Sequence, residues 1–162
     1  MSVGSSWEDE VKQLGVIQIA GGLNKSLFIK GSGDCQVIKY QPTPDAVNAT
    51  VTMSAANLMS GIITSTTAAA VTATLPTSAA LAAYINAANV ARSSSLLQVG
   101  SSFDFFVITT GANALTVATA TGWTLVGDVV VAAGTSSHFR VRFTGVTVGA
   151  ETATLYNLAV SA

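Results

Sequence analysis

A chain of 162 residues with a net charge of −1 is long enough for one domain with its own core, and too close to neutral for the basic footprint of a nucleic-acid binder. Charged residues make up 9% of it, against about 25% in ordinary soluble domains, which leaves a Ser/Thr/Ala surface with little electrostatic protection against association. No apolar run approaches the ~18 residues of a membrane span, and the single cysteine, Cys35, excludes an internal disulfide.

Trp7, Val11 and Leu14 stand at i, i+4 and i+7, the spacing of one face of a short helix. Ser5 or Ser6 can cap it, with Glu8 and Asp9 near its positive end. The acidic run Trp7-Glu8-Asp9-Glu10 does not fit a secretory signal. An apolar face of two turns is too short to order by itself, so it is expected to fold against another surface. Val16 to Ala20 reads as a strand closed by Gly21-Gly22, and Leu27–Lys30 with Cys35–Tyr40 as a hairpin around Gly31-Ser32-Gly33-Asp34. Those glycines do not make a dinucleotide loop, because Gln36 stands where the third glycine belongs and no helix follows.

The run Gln41-Pro42-Thr43-Pro44-Asp45 then reads as a stiff, extended connector. Charge divides the chain at this point. Lys12, Lys25, Lys30, Lys39, Glu8, Asp9, Glu10, Asp34 and Asp45 precede residue 46, whereas only Arg92, Asp104, Asp128, Arg140, Arg142 and Glu151 follow it. The expected organisation is a small N-terminal arm or hairpin subdomain over 1–45, serving attachment, and a β-rich body over 46–162.

In the body, Val71-Thr72-Ala73-Thr74-Leu75 alternates as a half-buried strand should, and Pro76 ends it. Thr77 or Ser78 caps one substantial helix near 77–89, with Leu81, Tyr84, Ile85 and Ala88 assigned to its buried face. After Ser93-Ser94-Ser95 come candidate strands at Leu96–Val99, Phe103–Thr109, Ala114–Ala118, Thr124–Val131, His138–Thr144 and Ala153–Val160, with Gly111, Gly122 and Gly127 near the junctions. In His138–Thr144, the alternation turns Phe139, Val141 and Phe143 inward and His138, Arg140 and Arg142 outward. Short strands at such spacing predict a mainly β fold, an antiparallel β-sandwich or jelly-roll-like body with one helix.

No catalytic set emerges, and the chain is read as a non-enzyme. His138 is the one histidine, there is no G-x-S-x-G segment, and one His with one distant Cys cannot make a zinc shell. Asp104 and Asp128 read as strand-edge or turn residues rather than as a glycosidase pair. No metal and no cofactor is expected. The stripe His138, Arg140, Arg142 is the most distinctive chemical feature of the body: either a solvated strand face or, at Arg140 and Arg142, contacts to a subunit or partner. Trp7, Val11 and Leu14 are the candidates for partner binding. Trp123 is open to two readings, core filling and sugar stacking, with core filling favoured.

Residues 55–64 (Ala55-Ala56-Asn57-Leu58-Met59-Ser60-Gly61-Ile62-Ile63-Thr64), the segment TATLPTSAALAAYI at 72–85, and GSSFDFFVITTG (100–111), TGWTLVGD (121–128) and AAGTSSHFRVRFTGV (132–146) carry a likeness. Over roughly residues 53–160 the chain resembles the small Ala/Thr/Val-rich virion proteins of tailed bacteriophages associated with head decoration (cement) or head-fibre roles. The resemblance implies a virion structural protein on the capsid surface, made in the host cytoplasm. It also implies a homotrimer that binds the major capsid protein of an assembled head and stabilises it, with no nucleic-acid or membrane partner. A receptor- or glycan-binding head of a phage head or tail fibre is the alternative that the same resemblance leaves open.

Overall fold

The computed structural model describes residues 41–87 and 97–161. The expected arm helix with Trp7, Val11 and Leu14, the strand at 16–20, the hairpin at 27–40, Cys35, Ala88 and Arg92 lie outside those residues.

The body is mainly β, with two sheets around one core. Among the described residues ten strands and two helices follow in chain order: β1 (Asp45–Ala46), β2 (Val51–Thr52), α1 (Ala55–Met59), β3 (Ile62–Ser65), β4 (Val71–Thr74), α2 (Ser78–Ala87), β5 (Ser102–Thr109), β6 (Leu115–Ala118), β7 (Trp123–Val126), β8 (Val130–Val131), β9 (Ser136–Gly145) and β10 (Thr152–Ser161). One sheet has six strands in the order β1-β3-β5-β9-β10-β7, the other four in the order β2-β4-β6-β8. The core joins both: Ile63, Phe105, Val107, Phe139, Val141, Phe143 and Leu155 from the larger sheet meet Ala73, Leu115, Val117 and Val131 from the smaller, with Leu58 of α1 and Leu81 of α2. Strictly alternating burial along β4, β6 and β9 shows why those segments are strands.

The expected antiparallel arrangement is corrected. Of the eight pairings among the described residues five are parallel (β1/β3, β3/β5, β2/β4, β4/β6 and β7/β10), and three are antiparallel (β5/β9, β9/β10 and β6/β8). The cause is the winding. From β1 to β6 successive strands alternate between sheets, so each connection crosses from one layer to the other and the next strand of the same sheet returns in the same direction. Alternation of apolar residues reports which face is buried and carries no information on strand direction.

Three further expectations are adjusted. In α2 the buried stripe is Ser78, Leu81 and Ala82, with Ile85 packed beside it, whereas Tyr84 is 45% exposed. At 100° per residue, 78, 82 and 85 share a face and 84 falls well off it. The single strand expected over Thr124–Val131 is two, in different sheets, separated at Gly127 (φ +98°). Leu96–Val99 is not a strand over its described part: Leu97 is buried, and the chain turns at Val99 and Gly100 (φ +97°). Gln41 to Asp45 is tied to the body, with Gln41 Nε2 donating to the Ser60 carbonyl at 2.7 Å and Asp45 registered against Ile63.

Candidate binding face

The outer face of the six-stranded sheet concentrates the body's chemistry, and antiparallel register puts it there. Pairing β5 with β9 sets Ser102 opposite Arg142, Asp104 opposite Arg140, and Phe106 opposite His138. With a side-chain period of two, all six point away from the core formed by Phe105, Val107, Phe139, Val141 and Phe143. On the other side of β9, Thr154 faces Arg142 and Tyr156 faces Arg140.

At the centre, Arg140 grips Asp104 with both arms of its fork: Nε donates to Oδ1 at 2.7 Å and a terminal NH2 to Oδ2 at 2.8 Å. His138 Nε2 stands 3.1 Å from the same Oδ2. Its ring lies flat on Phe106, with centroids 4.5 Å apart and planes at 14°. Arg140 above all holds the Asp104 carboxyl below the usual carboxylate range; burial opposes it, and His138 adds to the lowering. Asp104 in turn raises the Arg140 guanidinium above its ordinary value. Arg142 has no ion-pair partner among the described residues and is exposed.

In this arrangement Arg140 holds both oxygens of Asp104, and His138 Nε2 stands beside one of them. A triad carboxylate orients its histidine, whereas both oxygens of Asp104 are taken by Arg140. Asp128 is likewise occupied in its own turn, accepting from the Val130 N–H at 2.9 Å, so each of the two aspartates has a separate structural partner. Among the described residues no three of His, Cys, Asp and Glu come together as a metal site would require.

Trp123 fills volume rather than offering a platform. It is half-buried against the core, and its indole N–H donates to the Pro76 carbonyl at 2.8 Å. Next to it Gly122 (φ +90°) passes so close to Ser78 and the Glu151 carbonyl that a Cβ would collide with both. Ser78 Oγ donates to that same carbonyl, so α2, β7 and the start of β10 are locked together.

The outward stripe His138, Arg140, Arg142 lies where the alternation of β9 predicts it. Trp7, Val11 and Leu14 lie outside the described residues. Sequence reading missed the partners of the stripe, Asp104 and Phe106. The signal was available in the matched alternation of Ser102-x-Asp104-x-Phe106 and His138-x-Arg140-x-Arg142, two strands whose opposite charges align when run antiparallel. Comparison with protein-family models, with curated proteins and with solved structures finds no match.

Proposed function

We propose that this chain works through its surfaces, as a virion structural protein that decorates an assembled phage head and stabilises it. The observation that carries the reading is the outer face of β5 and β9. The sheet surface there presents Phe106, 43% exposed, beside a charge pair and an Arg142 that has no ion-pair partner among the described residues, in a chain with only 9% charged residues. Such a face fits protein recognition, where aromatic and arginine side chains concentrate binding energy. A cement protein acts by linkage: it binds the assembled shell better than free coat subunits, so its binding energy stabilises the shell. Attachment in this reading draws on two elements, the arm residues Trp7, Val11 and Leu14 and the body residues Arg140 and Arg142. The copies group as trimers, so that several weak contacts act together.

The test is sedimentation of the full chain with heads stripped of their native decoration. Binding should fall for Arg142→Ala and for Trp7→Ala, and should persist for His138→Ala. Wild-type protein that fails to sediment with heads, yet is retained on immobilised host-surface glycan, would replace this reading with that of a fibre head. Equal binding by all three variants would remove the assigned residues from the contact.

A further inference from the structure

Strand register arranges the outer face of the larger sheet in rows that run across the strands, about 7 Å apart at two residues per step. The first row is apolar and aromatic: Ile62 on β3, Phe106 on β5 and His138 on β9. The second is the matched pair of Asp104 and Arg140, with Arg140 Nε donating to Oδ1 at 2.7 Å. The third is Arg142, set between the hydroxyl residues Ser102 on β5 and Thr154 on β10. Its guanidinium reaches over Gly100, where a Cβ would stand 3.8 Å from a terminal nitrogen.

The charge of this face is opposite to that of the rest of the body. Among the described residues the cations are Arg140 and Arg142, both on it, whereas the acids are Asp45, Asp104, Asp128 and Glu151. Asp104 is matched by Arg140. The other three acids lie outside β5 and β9 and are engaged locally: Asp45 accepts from Asn57 Nδ2 at 2.7 Å, and Asp128 and Glu151 accept from the Val130 and Gly149 N–H groups at 2.9 Å. Arg142 is therefore the one cation among the described residues without an ion-pair partner, and it gives the outer face of β5 and β9 a net positive charge on an otherwise acidic body.

We propose that Arg142 receives an Asp or Glu carboxylate of the partner protein, so that the surface covering β5 and β9 is acidic opposite Arg142 and apolar opposite Phe106. Phe106 stands across from His138, four residues from Arg142, which sets the two contacts about 13 Å apart along the sheet. A carboxylate matches the guanidinium fork, and an apolar side chain matches the exposed ring. Between them Asp104 is the group that must be silenced. It stands one row from Arg142, where a bare carboxylate would repel the incoming one, and Arg140 neutralises it with both arms. Arg142 thus acts on the partner directly, and Arg140 acts through Asp104. The acidic remainder of the body turns such a partner away from other approaches, so charge fixes the orientation of docking more than its strength. The acidic patch lies on the head surface of the reading above and presupposes that reading.

The test is equilibrium binding of full-length variants to stripped heads, with circular dichroism to check that each is folded. Arg142→Ala should weaken binding on the order of tenfold, Arg142→Glu should weaken it further, and Arg142→Lys should fall between Arg142→Ala and the wild type. Asp104→Asn should tighten binding, although it deletes a charged residue from the contact, because it removes the like charge and frees Arg140. Arg140→Ala should weaken binding, and adding Asp104→Asn to it should recover the loss. A measurement on the wild type needs no variant to fold: amidating the surface carboxylates of the heads with carbodiimide and glycinamide, with the heads checked as intact by microscopy, should weaken its binding as Arg142→Glu does. Wild-type protein that does not bind untreated heads removes the head-binding reading and the acidic partner with it. Wild-type protein that binds untreated and amidated heads equally, or is matched by Arg142→Glu, overturns the acidic partner alone, as does an Asp104→Asn variant that binds as weakly as Arg140→Ala.

Discussion

The two faces of the β5/β9 pair differ residue by residue, although the same backbone carries both. On the inner face Phe105, Val107, Phe139, Val141 and Phe143 are fully buried, and the rings of Phe105 and Phe139 stack at 5.3 Å. On the outer face Ser102, Asp104, Phe106, His138, Arg140 and Arg142 meet solvent to differing degrees. Burying a large apolar side chain contributes about 1.5–3 kcal/mol, whereas an exposed ion pair contributes roughly 0–1 kcal/mol. The inner face therefore makes the fold and the outer face contributes little to it. Interleaving at a period of two means that single substitutions can separate stability from recognition.

The largest expected effect is on the inner face. Phe139→Ala should cost about 3–5 kcal/mol, the range for emptying a buried aromatic site, read as a lower urea midpoint. A loss below about 1 kcal/mol would mean that the core collapses around the gap, at the low end for core truncations. Gly122→Ala comes next. It forces a side chain into a left-handed backbone and into Ser78 and the Glu151 carbonyl, and backbone strain alone is of order 1–3 kcal/mol. Gly134→Ala is the control, since its φ is also positive (+68°) but its Cβ meets nothing; a smaller loss there isolates the collision.

The outer face should respond to pH more than to truncation. The folded-state pKa of Asp104 is depressed, so its stabilising contribution is present above the ordinary carboxylate range and is lost as pH falls through the folded value. Asp104→Asn should flatten that acid limb of the stability profile. In Arg140→Ala the Asp104 carboxyl, followed by NMR titration, should move back up, because Arg140 is the main cause of its depression. The smallest effect belongs to His138→Ala, within the ±0.5 kcal/mol of a surface change. A loss above 1 kcal/mol would show that its stacking on Phe106 is structural rather than superficial.

Much of this division was legible in the sequence. The alternation of His138 to Phe143 placed inward and outward residues correctly, and Pro76-Thr77 marked the start of α2, where Thr77 Oγ1 accepts from the Ala80 N–H at 3.1 Å. Strand direction was not legible, because whether a chain crosses to the other layer or turns back on itself is decided by tertiary packing. The short first elements were missed for a related reason. β1 and β2 have two residues each, too few for any period, and α1 has five. The one local cue for α1 was Ser54 with Asn57 three residues on, a capping box that uses an amide in place of the usual Glu or Gln. The outer face was half legible, since β9 announced its charges, while the choice of Asp104 and Phe106 as their partners depended on a register fixed by the fold.

Hydroxyl-radical labelling of the full chain, alone and bound to stripped heads, tests most directly whether the outer face of β5 and β9 meets a partner. Phe106 and Tyr84 are nearly equally exposed in the free chain, at 43% and 45%, one on that face and the other on α2. The account predicts that labelling of Phe106 falls sharply on binding while labelling of Tyr84 persists. Phe106 labelled to the same extent in both states would contradict it.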